Sequence, residues 1–103
     1  MPIPTLSDEQ LTAARKAATA ARRARAELKE RVRSGDLSFS RALDVATSDE
    51  TLAHIKVVDL LKTLPRVGEK RSVEIMERLG IATNRRVRGL GRHQIDALKQ
   101  EFS

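Results

Sequence analysis

Leu60-Leu61-Lys62-Thr63-Leu64-Pro65-Arg66-Val67-Gly68-Glu69-Lys70-Arg71-Ser72-Val73-Glu74-Ile75 reads as two helices flanking a tight turn. Apolar residues recur at helical spacing before the turn, through Val57, Leu60, Leu61 and Leu64. They resume after it in a helix over 69–79, with Val73, Ile75, Met76 and Leu79 mostly inward. Between them, Pro65 and Gly68 mark the turn. A glycine just before a helix lets the backbone approach a phosphate closely. The free N–H groups of the following first turn point at that phosphate, and the helix dipole assists. Lys70 and Arg71 can add charge-assisted contacts. Contacts of this kind grip a nucleic-acid backbone without reading its bases.

The stretch resembles the helix–hairpin–helix element of DNA-binding proteins, usually written Leu-Pro-Gly-Val/Ile-Gly at the turn. Here Arg66 stands where that pattern has its first glycine. The departure leaves the hairpin backbone open, although Arg66 could supply a contact of its own. The plainer reading is an ordinary helix–turn–helix corner with a packing glycine.

A second signal follows in Thr83-Asn84-Arg85-Arg86-Val87-Arg88-Gly89-Leu90-Gly91-Arg92. Arginines 85, 86 and 88 precede Gly-Leu-Gly and a helix start. Arginine forks onto phosphates and inserts well into a narrow minor groove. The plainer alternative is a solvated basic loop shaped by its glycines. Two such turns in succession suggest a helix–two-turns–helix arrangement. That arrangement also occurs in the head protein of the small ribosomal subunit and in some DNA-repair glycosylases.

Around these turns every segment reads as helix. Gly80-Ile81 suits a Schellman ending, with Ile81 packing back on Met76. A last helix over 92–102 buries Ile95, Leu98 and Phe102. Upstream, Ser38 can cap a helix carrying Phe39, Ala42, Leu43 and Ala46, and Ser48-Asp49-Glu50 can start a short one through Leu52 and Ile55. We expect an all-α protein with two parts. Residues 1–35 form a leader and a long basic helix; residues 36–103 form the compact helix–two-turns–helix domain.

The long helix is well signalled. Ser7 and Gln10 have capping-box spacing, and Leu6 and Leu11 hold the staple positions. Asp8 and Glu9 suit the positive end of the dipole. Gly35 can take the left-handed conformation that ends a helix. About 27 residues would make a rod roughly 40 Å long. Its apolar stripe, Leu11, Ala14, Ala18, Ala21, Leu28 and Val32, is thin, so much of the rod need not be buried. Arg15, Arg22, Lys29 and Arg33 share one narrow sector beside it. Residues 15–33 hold eight basic side chains against Glu27 and Glu30. Such a run is either a solvated face or a phosphate-contacting surface.

Composition agrees with a nucleic-acid partner. Twenty lysines and arginines against 14 acidic residues give a net charge of +6 over 103 residues, which favours anionic partners. The absence of cysteine removes disulfides and thiolate metal sites. Phe39 and Phe102 are the only aromatic residues. Single-strand binders stack bases on aromatic side chains, so a duplex is the better expectation. Met1-Pro2-Ile3-Pro4-Thr5 has neither a basic n-region nor an apolar h-region, and no run suits a membrane span. We therefore expect a cytoplasmic protein, monomeric in solution, with no membrane, cofactor or metal.

Taken together, these segments are similar to the actinobacterial integration host factors, nucleoid-associated proteins of about this length. The resemblance is carried by the long basic helix, Leu64-Pro65-Arg66-Val67-Gly68, Ile75-Met76-Glu77-Arg78-Leu79-Gly80-Ile81, Arg85-Arg86-Val87-Arg88-Gly89-Leu90-Gly91 and Gln94-Ile95. It implies duplex-DNA binding with little sequence preference, DNA bending or compaction in the nucleoid, and assistance to phage site-specific integration, with a phage integrase as partner. It assigns DNA contact to the turn at Val67, Gly68 and Lys70 and to Arg85, Arg86 and Arg88. Arg66 and Arg71 join the candidate site from their own chemistry.

An enzyme is not expected. His54 and His93 lack any ligand or catalytic constellation around them. An N-terminal proline after loss of Met1 would mimic the nucleophile of some helix–two-turns–helix glycosylases, but their large catalytic domain has no counterpart here. The main alternative is a ribosomal-type RNA-binding protein. An amphipathic membrane-surface helix is a weaker one, since alanine gives little anchorage.

Overall fold

A computed structural model describes residues 7–102 of the chain. Five α-helices follow one another: α1 (Asp8–Arg33), α2 (Phe39–Thr47), α3 (Val57–Leu61), α4 (Glu69–Arg78) and α5 (Arg92–Glu101). Two 3₁₀ turns, Leu52–His54 and Val87–Gly89, fall in the connections. The described residues contain no strand, only one isolated antiparallel bridge between Lys56 and Arg86. The all-α expectation therefore holds. No described helix is long and apolar enough to cross a membrane.

The capping box of α1 forms as its spacing requires. The Gln10 N–H donates to Ser7 Oγ at 3.1 Å, and the Ser7 N–H donates to Gln10 Oε1 at 2.9 Å. The leader and the Leu6 staple lie outside the described residues. Of the 26 residues in α1 only Leu28 and Val32 are buried. Residues 8–20 are exposed throughout. Alanines in that half offer too little apolar area to hold it against the core. The helix ends at Gly35, whose φ of 83° is left-handed.

Serine caps α2 as well, with the Arg41 N–H donating to Ser38 Oγ at 3.2 Å. The expected helix from Ser48 is only a 3₁₀ turn. Asp49 initiates it, accepting from the Thr51 and Leu52 N–H groups at 2.9 and 3.1 Å. Ser48 instead closes α2 by donating to the Asp44 carbonyl at 2.9 Å. Helix α3 also stops early, at Leu61. The Thr63 and Leu64 N–H groups donate three residues back, to Leu60 and Leu61, tightening the chain. Leu64 precedes Pro65, a position from which helical backbone is sterically disfavoured.

Helix α4 ends in the expected Schellman geometry. Gly80 has a φ of 73°, and the Ile81 N–H donates to the Met76 carbonyl at 2.8 Å. Both side chains are buried in one core with Leu43, Val57, Leu60, Leu61, Val87 and Leu98. Phe39 and Phe102 close one side, their ring centroids 4.9 Å apart at 57°. Leu28 and Val32 plug the end of α1 into this same core. Two ion pairs fasten α5, Lys99 with Asp44 of α2 and Arg78 of α4 with Glu101. The hydrogen bond to Glu101, and then its charge, raise the pKa of Arg78 above the ordinary arginine value.

Candidate nucleic-acid interface

Gly68 is the N-cap of α4, and no side chain caps this helix start. Helices α1 and α2 are capped by serines. The α4 first turn thus presents N–H groups without a side-chain acceptor, which is the arrangement an anion completes. Gly68 has φ −88°, an ordinary value that any residue adopts. A Cβ built on it would meet nothing within 4 Å. The fold itself does not demand glycine there. The space beside it is open to an outside group.

Ser72 sets the angle of this turn. It is fully buried, and its hydroxyl donates to the Gly68 carbonyl at 2.8 Å. Val67 works from beneath: its side chain is buried and its N–H donates to the Leu64 carbonyl at 3.2 Å. Val67 therefore seats the turn through packing and does not face outward. Arg66 has φ 67°, so the hairpin keeps the left-handed residue that glycine would normally supply. Arg66, Lys70 and Arg71 are exposed. Glu69 is the single acidic residue among them.

The second turn is stitched to the segment before α3. The Val57 N–H donates to the Arg85 carbonyl at 3.0 Å, and the Val87 N–H donates to the Ile55 carbonyl at 2.9 Å. Val87 is buried beneath them, leaving Arg85, Arg86 and Arg88 exposed above. Arg86 Nη1 donates to the His54 carbonyl at 2.6 Å. Arg85 lies over Gly89, where an added Cβ would come within 2.8 Å of its Cδ. Helix α5 also starts at a glycine without a side-chain cap, Gly91. Gln94 accepts from the Gly91 N–H at 2.9 Å and donates to the Gly80 carbonyl at 3.0 Å, tying this turn to the end of α4. The five-residue α3 spans the distance between the two turns.

The structure adds a third component. Arg22, Arg25 and Lys29 of α1 line one cleft with His54, Lys56 and Arg86, and Asp59 is its only acid. Arg25, His54, Arg86 and Arg88 line the adjoining concavity. Like charges converging on a cleft focus a positive potential that draws polyanions. Of the basic sector read from the sequence, Arg22 and Lys29 reach this cleft. Arg33 is instead paired with Glu30 at 2.7 Å. Lys56, His54, Ser72 and Gln94 were not singled out from the sequence as site residues. The first two join it through a pairing across about thirty residues that no local pattern encodes. Ser72 had a local signal, a serine four residues beyond the turn glycine, where a hydroxyl can bond back to a carbonyl.

The profile of the S13-like H2TH domain family matches residues 32–102. A protein named Integration host factor from Mycobacterium tuberculosis is 50% identical over 99% of this chain and 97% of its own length. The Integration host factor of Mycolicibacterium smegmatis is 49% identical over the same shares, 99% and 97%. That of Streptomyces coelicolor is 45% identical over 99% of this chain and 95% of its own. A solved structure described as sIHF bound to an 8 bp palindromic DNA superposes with a TM-score of 0.82 at 44% identity, covering 85% of this chain and 99% of that one.

Proposed function

The chain belongs to the actinobacterial integration host factor family and carries its S13-like H2TH domain, and on that footing we propose that it is a non-catalytic, nucleoid-associated protein that binds duplex DNA. The observation that carries this reading is the uncapped start of α4 at Gly68, open to solvent and flanked by Lys70 and Arg71. It is the chemistry of a phosphate clamp. The arginine loop supplies the second grip, with Arg85, Arg86 and Arg88 along the adjacent minor groove. The relative solved bound to DNA supports the choice of ligand. One grip works through backbone N–H groups on phosphate and the other through arginines suited to the minor groove, where base edges are nearly alike, so affinity depends little on sequence.

The cleft between α1 and the arginine loop gives the protein a further surface for a bent or second duplex. Elastic bending of a 20–30 bp site costs roughly 1–6 kcal/mol and must be offset by added contacts. Fluorescence transfer between dyes on the two ends of such a duplex tests the bend. A rise on adding protein is expected; saturated binding with no change refutes bending. The same surfaces serve compaction, and with it assistance to a phage integrase. An in vitro integration reaction run with and without the protein checks that role. The S13-like character of the domain favours duplex RNA as the second reading, which preference for RNA over DNA in direct competition would establish.

A further inference from the structure

We propose that His54 makes engagement of the α1 cleft pH-dependent: its ring takes up a proton as duplex DNA enters, and the bound state is favoured on the acid side of neutrality. The inference rests on the duplex-DNA reading above and adds a regulation to it.

His54 closes the 3₁₀ turn Leu52–His54, and its backbone is held on both sides. Its N–H donates to the Thr51 carbonyl at 3.4 Å, and its carbonyl accepts from Arg86 Nη1 at 2.6 Å. Ala53 before it and Ile55 after it are buried. Residue 54 is thus anchored beside the cleft, and its half-buried side chain lines both adjoining concavities. Among the described residues no hydrogen bond engages the ring.

The charges around the ring give the direction of the effect. Helix α1 contributes Arg22, Arg25 and Lys29. The segment ahead of α3 contributes Lys56, and the arginine loop contributes Arg86 and Arg88. Asp59 of α3 is the only acid in either concavity. Helix α2 also packs on this turn but lends neither concavity a charged group. Asp49, at the start of the turn, is occupied by the Thr51 and Leu52 N–H groups. Charging the ring therefore adds one more cation to a cleft already rich in them. A DNA phosphate reverses that balance: it offsets the standing cations and accepts from the N–H of the protonated ring.

Such coupling is reciprocal. DNA draws a proton onto His54, and a proton on His54 tightens the hold on DNA. Imidazole is the side chain whose ordinary titration falls between about pH 5 and 8. The lysines and arginines of the cleft keep their charge throughout that range and cannot produce the effect.

The test measures duplex-DNA binding at about pH 6 and about pH 8, at one ionic strength, for wild type, His54→Gln, His54→Lys and His93→Gln. Wild type should bind roughly three- to tenfold more tightly at the lower pH, with a fraction of a proton taken up per duplex bound. Calorimetry in two buffers of different ionisation enthalpy reads that uptake. His54→Gln should lose the dependence. His54→Lys should lose it too, and should bind at both pH values at least as tightly as wild type does at the lower one, because its charge is fixed. His93 is exposed at the start of α5 and lines neither concavity, so His93→Gln should keep the wild-type dependence. Equal wild-type affinity at the two pH values would overturn the proposal. So would a dependence that survives in either His54 variant or disappears in His93→Gln. Failure of wild type to bind duplex DNA at either pH would instead overturn the function on which the proposal stands.

Discussion

The Arg86 guanidinium donates to the backbone carbonyl of His54 at 2.6 Å, bridging the arginine loop to the segment that faces α1. The residue therefore has two tasks, clamping the loop and presenting charge. Its neighbour Arg88 is exposed and only presents charge. Arg86→Ala should lower stability by about 1 kcal/mol, the worth of a modest charged hydrogen bond. Arg88→Ala should stay within about 0.5 kcal/mol of wild type. Urea unfolding of the two variants separates these roles, and both should weaken DNA binding.

Gly68 and Gly80 should respond in opposite ways to alanine. At Gly68 the backbone is unstrained and the space is open. Gly68→Ala should therefore fold as well as wild type, or gain about 0.4–1 kcal/mol from a stiffer unfolded chain. Its Cβ would occupy the approach to the α4 N–H groups, weakening DNA binding about tenfold, or about 1.4 kcal/mol. At Gly80 φ is 73°, so Gly80→Ala should lose about 1 kcal/mol or more of stability. Its DNA affinity at a temperature where it is folded should be unchanged. Melting curves and gel-shift titrations of both variants check the pair.

Combined replacement of Arg85, Arg86 and Arg88 by alanine should weaken binding to every duplex alike. Loss of up to three phosphate contacts makes the salt dependence shallower by up to about 2.7 in slope. A loss confined to one DNA sequence would show that the loop reads bases.

Arg22 and Arg25 line the cleft beside His54 and Arg86. Their replacement by alanine leaves α1 a good helix, with stability within about 0.5 kcal/mol. Affinity for a short single duplex should fall modestly, while bridging of two duplexes should be lost. Capture of a labelled duplex by an immobilised one, through the protein, measures this. Undiminished capture would remove α1 from the interface.

Local signals in the sequence proved dependable where a single turn of backbone decides the outcome. Ser7 with Gln10, Gly35, and Gly80 with Ile81 each act within about five residues, and each forms as its spacing requires. Short elements were less legible. The ends of α3 and the 3₁₀ turn at Leu52 depend on Pro65 and on which of Ser48 and Asp49 finds an N–H group. Least legible was the partnership of Lys56 with Arg86 and of both with α1. It arises only when buried Val57 and Val87 bring their segments together. The arginine loop was visible as charge, but its connection to the α1 cleft was not.

The central claim is that these surfaces grip the backbone of duplex DNA. A salt titration of binding to duplex DNA of two unrelated sequences, to duplex RNA and to single-stranded DNA of equal length tests it most directly. The account predicts tight binding to both DNA duplexes, with equal and steep slopes of about −0.9 per phosphate neutralised, and weaker binding to the other two ligands. Preference for RNA or for the single strand, or a flat salt dependence, would contradict it.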